Sequence, residues 1–553
     1  MTNKEIAKTF QFLGSIMELH GENPYKIRSY QNAYLTLRKL PESLREMTDE
    51  QIGKIKGVGN AISAKIRELL DTGDLQTLQK YRDQTPEGVQ EMLQIKGFGP
   101  KKIRVIWKDL GAETIGELLY AVNENRLVEL KGFGAKTQED LRKKLEYFQK
   151  SRNQFHYASL EAEAERLLDA FSQILKPARV AYTGALHRQN PILTHIELIT
   201  DAQGDLESAV ADLLGEGNWT DRQIWEGSSS EGLPLRIVRV PADDWVSAQF
   251  EHSATSEFLH SFQAKLPADQ WGSVESEEDL FTKAGLAYIP PALRESEDWI
   301  ERGVIPQLVQ EEDIKGVVHA HSTYSYGLNS LREMAEASRS LGYEYLGITD
   351  HSKAAFYANG LQVERVYQQM EEIDQLNTEW TDFKIFKGIE CDILNDGSLD
   401  YDEEVLQAFD FIIASVHTNL RMDEEKATSR IIKAVENPYT TILGHPTGRL
   451  LLSRPGYPLD HQRVIDACAA RGVAIELNAN PYRLDLDWHW IDYALGKGVL
   501  ISVNPDAHSI GGIKDIHFGI LAAQKGGLTA ETCLNAKNTN DFTTWIEKKK
   551  NNH

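Results

Sequence analysis

Seven short apolar runs between residues 316 and 509 restrict this chain to few folds, because each run ends in polar or metal-binding residues. Amphipathic helical stretches separate the runs, and strands that alternate with helices are typical of a parallel sheet. Functional residues at the carboxyl ends of all the strands favour a barrel whose site lies on that face. The runs are GVVHAHS (316–322), YLGITDHS (345–352), IFKGIECD (385–392), FIIASVHT (411–418), TTILGHPT (440–447), VAIELNAN (473–480) and LISVNPDAHS (500–509).

The strand ends carry a dense set of histidines and carboxylates. One histidine after a strand is usually a hydrogen-bonded structural residue, but eight such groups at equivalent strand ends indicate a metal centre. Imidazoles and carboxylates together suit zinc, manganese or iron. Eight ligands exceed what one tetrahedral ion uses, so we expect two or three divalent ions. The predicted ligands are His319, His321, His351, Glu390, His417, His445, Asp506 and His508.

The first and last strands of the predicted barrel are expected to meet at this centre. His319 and His321 stand at alternate positions of the first strand, and Asp506 and His508 do so on the last, so each pair faces one way. Closure would bring the two pairs together, and Glu390 would bridge two ions. We therefore predict that Glu390, Asp506 and His508 serve catalysis.

This pattern resembles the PHP (polymerase and histidinol phosphatase) phosphoesterases over nearly the whole of residues 316–509. The family's His-x-His, Thr-Asp-His, Gly-x-Glu, Ser-x-His, Gly-His-Pro and Asp-x-His pairs are all present. The resemblance implies metal-dependent hydrolysis of phosphoesters. Two positions depart from the family: Tyr326 stands where Ser-Asp-Gly usually has aspartate, and Val317 replaces an aspartate that often precedes the first histidine.

Charge is distributed unevenly along the chain. Residues 1–150 hold 25 basic and 21 acidic side chains, whereas the whole chain has a formal net charge of −23. A weakly basic N-terminal part can hold phosphate, and the acidic remainder can bind cations.

Three segments of the N-terminal part repeat apolar-Lys-Gly-apolar-Gly before an amphipathic helix: IKGVGNAISAKI (55–66), IKGFGPKKIRVI (95–106) and LKGFGAKTQEDL (130–141). Such glycines allow a tight turn that presents backbone N–H groups at a helix start, which is an anion site. One copy could be a plain helix hairpin, but three favour phosphate binding. The repeats resemble helix-hairpin-helix motifs, which grip DNA phosphates without reading bases. The residues expected to contact DNA are Gly57, Gly59, Lys65, Gly97, Gly99, Gly132 and Gly134.

The first repeat, together with NPYKIRSYQNAY (23–34), resembles the lyase domain of DNA polymerase beta and its relatives. Lys65 matches the Schiff-base lysine of that family, and Lys26 and Tyr30 match its supporting basic and aromatic positions. A lysine beside other cations can attack the aldehyde of an abasic site. The family's lysine four residues earlier is Ala61 here, and a lysine on a helix face is often only solvated. Lys65 is therefore a candidate lyase nucleophile.

The stretch TGALHRQNPILTHIELIT (183–200) resembles the nucleotidyl-transferase domain of bacterial family X DNA polymerases. That family has a Gly-Ser turn, an Asp-x-Asp strand and a third aspartate on a neighbouring strand. Here the serine is Ala185, the Asp-x-Asp is His195-Ile-Glu197, and the third carboxylate falls at Pro234. Two-metal phosphoryl transfer needs carboxylates that bridge both ions. We therefore expect the fold to be kept and the polymerase chemistry to be lost.

These segments together predict a multidomain α and α/β chain. The connector AYIPPALRES (287–296) also matches the bacterial family X polymerases, so the resemblance runs end to end. The expected parts are a helical lyase-like domain (1–85), helix-hairpin-helix fingers (86–150), a degenerate α+β nucleotidyl-transferase domain (151–290), a linker (291–315) and a distorted (β/α)7 PHP barrel (316–553).

The leading hypothesis is a DNA-binding, metal-dependent phosphoesterase of DNA repair, with 3′–5′ exonuclease or abasic-site activity on gapped, nicked or 3′-end substrates. The alternatives are an active family X polymerase with an exonuclease domain, a small-molecule phosphatase, and a non-catalytic repair scaffold. No apolar run approaches the ~18 residues of a membrane span, and the N-terminus is polar. Three widely spaced cysteines fit a reducing cytoplasm.

Overall fold

The computed structural model describes residues 1–40, 42–93, 95, 98–128, 130, 132–149, 153–220 and 223–551. These residues form two compact units, Met1–Phe148 and Gln149–His553. No helix in those ranges combines the length and the apolar character that crossing a membrane requires. Cys391, Cys468 and Cys533 are buried free thiols.

The first unit is helical throughout its described residues. Several helices begin at residues that satisfy the open N–H groups of a helix start: Thr2, Thr48 and Thr114 each form a capping box with a glutamate or glutamine three residues later. The helices are α1 (Asn3–Leu19), α2 (Pro24–Leu37), α3 (Asp49–Gly53), α4 (Asn60–Thr72), α5 (Gln76–Asp83), α6 (Glu87–Met92), α7 (Pro100–Val105, continued by a π-helical turn, Ile106–Leu110), α8 (Ile115–Asn123) and α9 (Ala135–Gln149).

The second unit begins with seven strands: β1 (Phe155–His156), β2 (Val180–Tyr182), β3 (Ile192–Leu193), β4 (Ile196–Thr200), β5 (Leu214–Trp219), β6 (Ile224–Ser229) and β7 (Pro234–Arg239). Five of them form a sheet in the order β2-β4-β7-β6-β5, in which only β4 and β7 are parallel, while β1 and β3 pair separately. The helices of this part are α10 (Tyr157–Ile174), α11 (Gly184–His187), α12 (Leu206–Ala209), α13 (Trp245–His252), α14 (Ser256–Lys265), α15 (Glu277–Lys283) and α16 (Asp298–Arg302).

Helix α10 covers one face of this sheet because its apolar residues recur at helical spacing. Leu160, Ala164, Leu167 and Phe171 are all buried, and they join the buried residues of β4 in one core. All five residues of β4 are themselves buried, so the strand that carries Glu197 lies inside this core.

The rest of the second unit is a parallel sheet of seven strands: β8 (Gly316–Val317), β9 (Tyr345–Ile348), β10 (Lys384–Asp392), β11 (Phe411–Ser415), β12 (Ile442–Leu443), β13 (Ala474–Asn478) and β14 (Ile501–Asn504). They are hydrogen-bonded in sequential order. The helices between and after them are α17 (Leu331–Ser340), α18 (Val363–Glu379), α19 (Glu403–Ala408), α20 (Glu424–Val435), α21 (His461–Arg471), α22 (Ile491–Gly496), α23 (Ile516–Lys525) and α24 (Thr539–Asn551).

The sheet closes on itself just beyond its first and last strands. A parallel bridge joins Ala320 to Ala507, with the N–H of His321 donating to the Ala507 carbonyl at 2.8 Å. The strands are almost continuously apolar, because in a parallel barrel both faces of each strand are covered. The predicted (β/α)7 barrel and its seven strands are confirmed.

Candidate metal centre

The carboxyl ends of the barrel strands bring all eight predicted ligands into one cluster. Their side chains are at most 9% exposed. Among these eight residues, three sets of ligand atoms each converge within 4.8 Å. We call them the Asp506 group (His319, His321, Glu390 and Asp506), the His417 group (His351, Glu390 and His417) and the three-histidine group (His321, His351 and His508).

Glu390, at the end of β10, lies at the centre of the cluster. Its Oε1 is 2.8 Å from Nε2 of His445 and 3.0 Å from Nε2 of His417, and its Oε2 is 2.9 Å from Nδ1 of His351. Burial alone would favour the neutral acid, but His417, His351 and other histidines hold the pKa of Glu390 well below its usual range. An ionised carboxylate shared by two ligand groups is suited to bridging two cations.

The two strands that close the barrel meet at Asp506, as their spacing predicted. Its Oδ1 lies 3.0 Å from Nε2 of His321 and 3.4 Å from Nε2 of His319. The pKa of Asp506 is well below its ordinary value, because His319 and His321 outweigh the effect of burial. His508 turns its Nδ1 to the backbone carbonyl of Asp506 at 2.9 Å.

Two carboxylates that the sequence analysis did not single out orient the ligands. Glu476, in β13, accepts a hydrogen bond from Nδ1 of His319 at 2.7 Å, and Asp392 bonds Nδ1 of His417. In metal sites a ligating histidine usually donates its other ring N–H to such a partner, which turns the free nitrogen to the ion. The signal for Glu476 is the alternation of VAIELNAN, because this glutamate lies within the strand and not at its end.

Several buried ligand atoms in the cluster have no hydrogen-bond partner. His351 Nδ1 and Glu390 Oε2 are 2.9 Å apart, yet neither is aligned for a hydrogen bond, as expected of two ligands that face one ion. An unsatisfied buried polar atom costs about 1–3 kcal/mol. The donor set therefore fits divalent metal ions. The atoms are His319 Nε2, His321 Nδ1, His351 Nδ1, Glu390 Oε2 and His445 Nδ1.

The glycines of the N-terminal repeats lie at open hairpin tips. Gly57 and Gly132 have φ of +88° and +92°, a conformation that favours glycine. Gly59 and Gly99 precede the first residues of α4 and α7, with φ of −85° and −80°. A Cβ added at Gly59, Gly99, Gly132 or Gly134 would meet no atom within 4 Å, so a ligand can approach the backbone there. Gly97 lies outside the described residues.

Family models match three parts of the chain: a helix-hairpin-helix domain over residues 1–75, a SAM-like helix-hairpin-helix tandem over residues 89–146, and the PHP domain over residues 318–480. The DNA polymerase/3′-5′ exonuclease PolX of Bacillus subtilis (strain 168) is 33% identical over 573 residues, covering 99% of this chain and 100% of that protein. The chain belongs to the family X DNA polymerases that carry a C-terminal PHP domain.

Shorter stretches of this family X chain are similar to proteins of another kind. A probable phosphatase of Caldanaerobacter subterraneus is 29% identical over 175 residues, which cover 30% of this chain and 62% of that protein. A probable phosphatase of Thermoanaerobacter sp. (strain X514) is 27% identical over 234 residues, which cover 39% of this chain and 88% of that protein. Family membership and the PHP domain together support a DNA-processing enzyme with nuclease or phosphoesterase activity.

In this family X chain, the carboxylate of Glu197 in β4 is paired with the side chain of Arg236. Glu197 Oε1 lies 3.0 Å from a guanidinium nitrogen of Arg236, and its Oε2 lies 3.2 Å from Nε2 of His195. Arg236 is the direct partner of Glu197 in the parallel pairing of β4 with β7. Pro234 lies two residues earlier and pairs with Ser228 instead. Arg236, which sequence reasoning missed, is therefore the neighbour of Glu197 on β7, and the assignment of Pro234 to the third carboxylate position stays a prediction.

The turn before β4 is shaped around Glu197. Gly184 has φ of +63°, and a Cβ there would lie 1.9 Å from Glu197 Oε2, so only glycine fits beside this longer carboxylate. Ala185 follows within α11 and offers no hydroxyl. Burial opposes ionisation of Glu197, but His195 and Arg236 lower its pKa. Glu197, the carboxylate that remains at the expected Asp-x-Asp positions, is thus ionised, and Arg236 balances its charge.

The candidate lyase residues take three different positions in the first unit. Lys65 Nζ donates a hydrogen bond to Thr77 Oγ1 at 2.5 Å. Lys26 forms an ion pair with Glu22 at 3.6 Å. Tyr30 is only 4% exposed and stacks on Phe10 with ring centroids 5.9 Å apart, so it serves the core. The lyase role of Lys65 stays a prediction.

Proposed function

We propose that this chain is a metal-dependent DNA nuclease of repair, a 3′–5′ exonuclease whose barrel hydrolyses the phosphodiester while the N-terminal hairpins hold DNA. The observation that supports this proposal is the buried cluster of the eight predicted ligands, with unsatisfied atoms, at the barrel mouth. The name of the B. subtilis relative supports the choice of a DNA 3′ end as substrate. The proposed partners are gapped, nicked or 3′-recessed DNA.

The residues of the barrel keep the site ready for catalysis. Divalent ions bound there, manganese or zinc by the nature of the ligands, would activate water and neutralise the phosphoryl oxygens. Glu476 and Asp392 keep the rings of His319 and His417 in place. Asn478 donates to Asp506 Oδ2 at 3.0 Å, which leaves Oδ1 toward the cluster. Preset ligands avoid the cost of reorganisation when substrate binds.

We propose Glu390, Asp506 and His508 as the catalytic residues of this site. Glu390 is common to two ligand groups, so it would position both ions relative to one phosphate. Asp506 and His508 stand together at the seam where the barrel closes, with the His508 ring 4.2 Å from that of His321. This places an acidic and an imidazole group beside one another at the barrel mouth.

We further propose that the polymerase site of this chain does not incorporate nucleotides. Both oxygens of Glu197 already face nitrogen atoms of protein side chains, so a metal ion would have to displace Arg236. His195 and Pro234 supply no carboxylate to bridge a second ion. The active-polymerase alternative lacks support from this geometry.

The nuclease proposal is tested with 5′-labelled, 3′-recessed DNA and added Mn²⁺. Replacing both His319 and His321 by alanine should reduce the rate of degradation by more than ~100-fold. Loss of a residue that only supports a metal ligand costs up to about 100-fold, and loss of two ligands should cost more. His260→Ala, an exposed histidine of α14, is the matched control and should leave the rate unchanged. Circular dichroism would verify that both variants stay folded.

The same assay separates the alternatives. Degradation should cease with a chelator, and small phosphomonoesters should be hydrolysed far more slowly than DNA. Full nuclease activity in the folded double variant would refute the proposed site. Rapid hydrolysis of small phosphomonoesters with intact DNA would favour the phosphatase reading, and absence of both reactions would favour a scaffold.

A further inference from the structure

An aromatic side chain lies inside the ligand cluster. The ring of Tyr326 stacks on His508 at 4.6 Å between centroids and 23° between planes, and on His351 at 5.1 Å and 14°. It also lies parallel to His321, at 6.1 Å and 12°. The Tyr326 hydroxyl is 3.1 Å from His351 Nε2. The phenol therefore contacts every member of the three-histidine group.

The loop that carries Tyr326 is held on both sides. Asp350, which is fully buried, accepts hydrogen bonds from the N–H of Ser322 at 2.8 Å and of Ser325 at 3.1 Å. Gly327 donates to the Ser322 carbonyl at 3.0 Å, and a Cβ at Gly327 would lie 2.7 Å from a carbonyl of the same turn. The tyrosine is thus positioned by a tight turn whose anchor is a buried carboxylate.

The three-histidine group differs from the other two groups in charge. The Asp506 group contains two carboxylates, and the His417 group contains the shared carboxylate of Glu390. The three-histidine group consists of imidazoles only, so a cation there would gain no charge compensation from its own ligands. His351 meanwhile points Nδ1 to Glu390 and Nε2 to the phenol, so both of its nitrogens are already directed elsewhere.

We propose that Tyr326 closes the three-histidine group to metal, so that the barrel holds two divalent ions, one in each group that contains Glu390. The proposal rests on the metal-dependent function proposed above. The Nε2–H of His351 donates to the Tyr326 hydroxyl, which leaves Nδ1 as the ligand atom, and the Tyr326 ring stacks on His508 and lies parallel to His321. Tyr326 thereby orients His351 for the His417 group.

The test is a count of ions on the full chain. Protein loaded with Mn²⁺ and passed through a desalting column should retain two ions per chain, measured by inductively coupled plasma mass spectrometry. Tyr326→Asp should retain three, because a short carboxylate removes the ring and supplies the missing charge. Tyr326→Phe, the matched control, keeps the ring and should retain two. Thermal unfolding would verify that each variant is folded.

The outcomes separate this proposal from the function on which it rests. Three ions in the unaltered chain, or two in a folded Tyr326→Asp variant, would overturn the closure by Tyr326 and leave the nuclease proposal standing. No retained ion in any variant would overturn the metal-dependent function itself. A visible absorption band on loading with ferric iron, lost in Tyr326→Phe, would show the phenol to be a ligand and would also overturn the closure. If Tyr326→Asp fails to fold, the count on the unaltered chain and this band still decide.

Discussion

Glu390, near the end of β10, and Glu197, within β4, are both buried carboxylates, but different groups face them. Glu390 faces histidine nitrogens, several of them with no hydrogen bond, which is a favourable arrangement for binding a cation. Glu197 faces the permanent charge of Arg236. An arginine cannot give up its proton in a protein, so it competes with a metal ion at every accessible pH. At the scale of residues, Arg236 therefore makes the difference: Glu197 is already paired with a permanent cation, whereas Glu390 can bind a metal ion.

A prediction at this scale concerns nucleotide incorporation. The chain should not extend a primer on a template with Mg²⁺ or Mn²⁺, because Glu197 is neutralised and no carboxylate pair bridges two ions. The measurement belongs in the His319→Ala/His321→Ala background, where exonuclease activity cannot mask synthesis. The B. subtilis relative serves as the positive control. Template-dependent extension at comparable rates would contradict the prediction.

At the scale of elements, the hairpin tips of the first unit expose their backbone at helix starts. The hairpins present open N–H groups ahead of α4 and α7, where Gly59 and Gly99 have ordinary negative φ and free space around them. A side chain can therefore be added at these two positions without strain in the fold. The same addition would separate a phosphate from the backbone that is expected to bind it.

The corresponding prediction concerns a Gly59→Val/Gly99→Val double variant. DNA affinity of the full chain should fall roughly tenfold, which is about 1.4 kcal/mol. The salt dependence of binding should also become less steep, because fewer phosphates are contacted. Gly496→Val in α22 is the matched control, since a Cβ there also meets no atom within 4 Å. Fluorescence anisotropy over a salt series would measure both effects, and equal affinities would argue against the hairpins as the grip.

At the scale of the Gln149–His553 unit, buried and half-buried charged side chains join the part that holds α10 to the barrel. His517 of α23 bonds Glu161 of α10 at 2.6 Å and Glu311 of the linker at 2.5 Å. Lys525, further along α23, is fully buried and bonds Asn190 Oδ1 at 2.7 Å. The part of this unit that holds α10 is therefore anchored on the barrel.

This anchoring predicts a pH dependence of stability. Hydrogen bonds to Glu161 and Glu311 raise the pKa of His517 from 6.5 to about 9. A pKa raised by folding contributes stability that is complete below the ordinary value and is lost as the pH rises through about 9. The unaltered chain should therefore unfold at a higher temperature than His517→Gln at about pH 6. This difference in unfolding temperature should shrink steadily as the pH rises to about 10.

Two further measurements make the pH prediction specific. His260→Gln, in an exposed part of α14, should track the unaltered chain at each pH. Burial lowers the pKa of Lys525 to about 8, but this group is common to all three proteins and cancels in the differences. A difference between His517→Gln and the unaltered chain that is constant over the range would show that the charge of His517 does not stabilise the interface.

Local patterns in the sequence are enough to predict the barrel, the histidines and carboxylates that cluster at its strand ends, and the hairpin turns. Apolar runs followed by polar residues define strand ends, and glycines at 57 and 132 meet a positive φ that the chain needs locally. The predicted loss of the Asp-x-Asp pair likewise rests on the letters at 195 and 197. Each inference used residues within a few positions of one another.

The neighbours of these clustered side chains, and of Glu197, follow from tertiary packing instead. Glu476 reaches His319 across 157 positions of sequence, and Arg236 meets Glu197 across 39. The first contact requires closure of the barrel and the second a particular register between two parallel strands, and neither is encoded in a short segment. Tyr326 enters the cluster because a loop folds back on a buried aspartate. Long-range contacts of this kind arise from packing of the whole sheet, so the sequence alone does not reveal them.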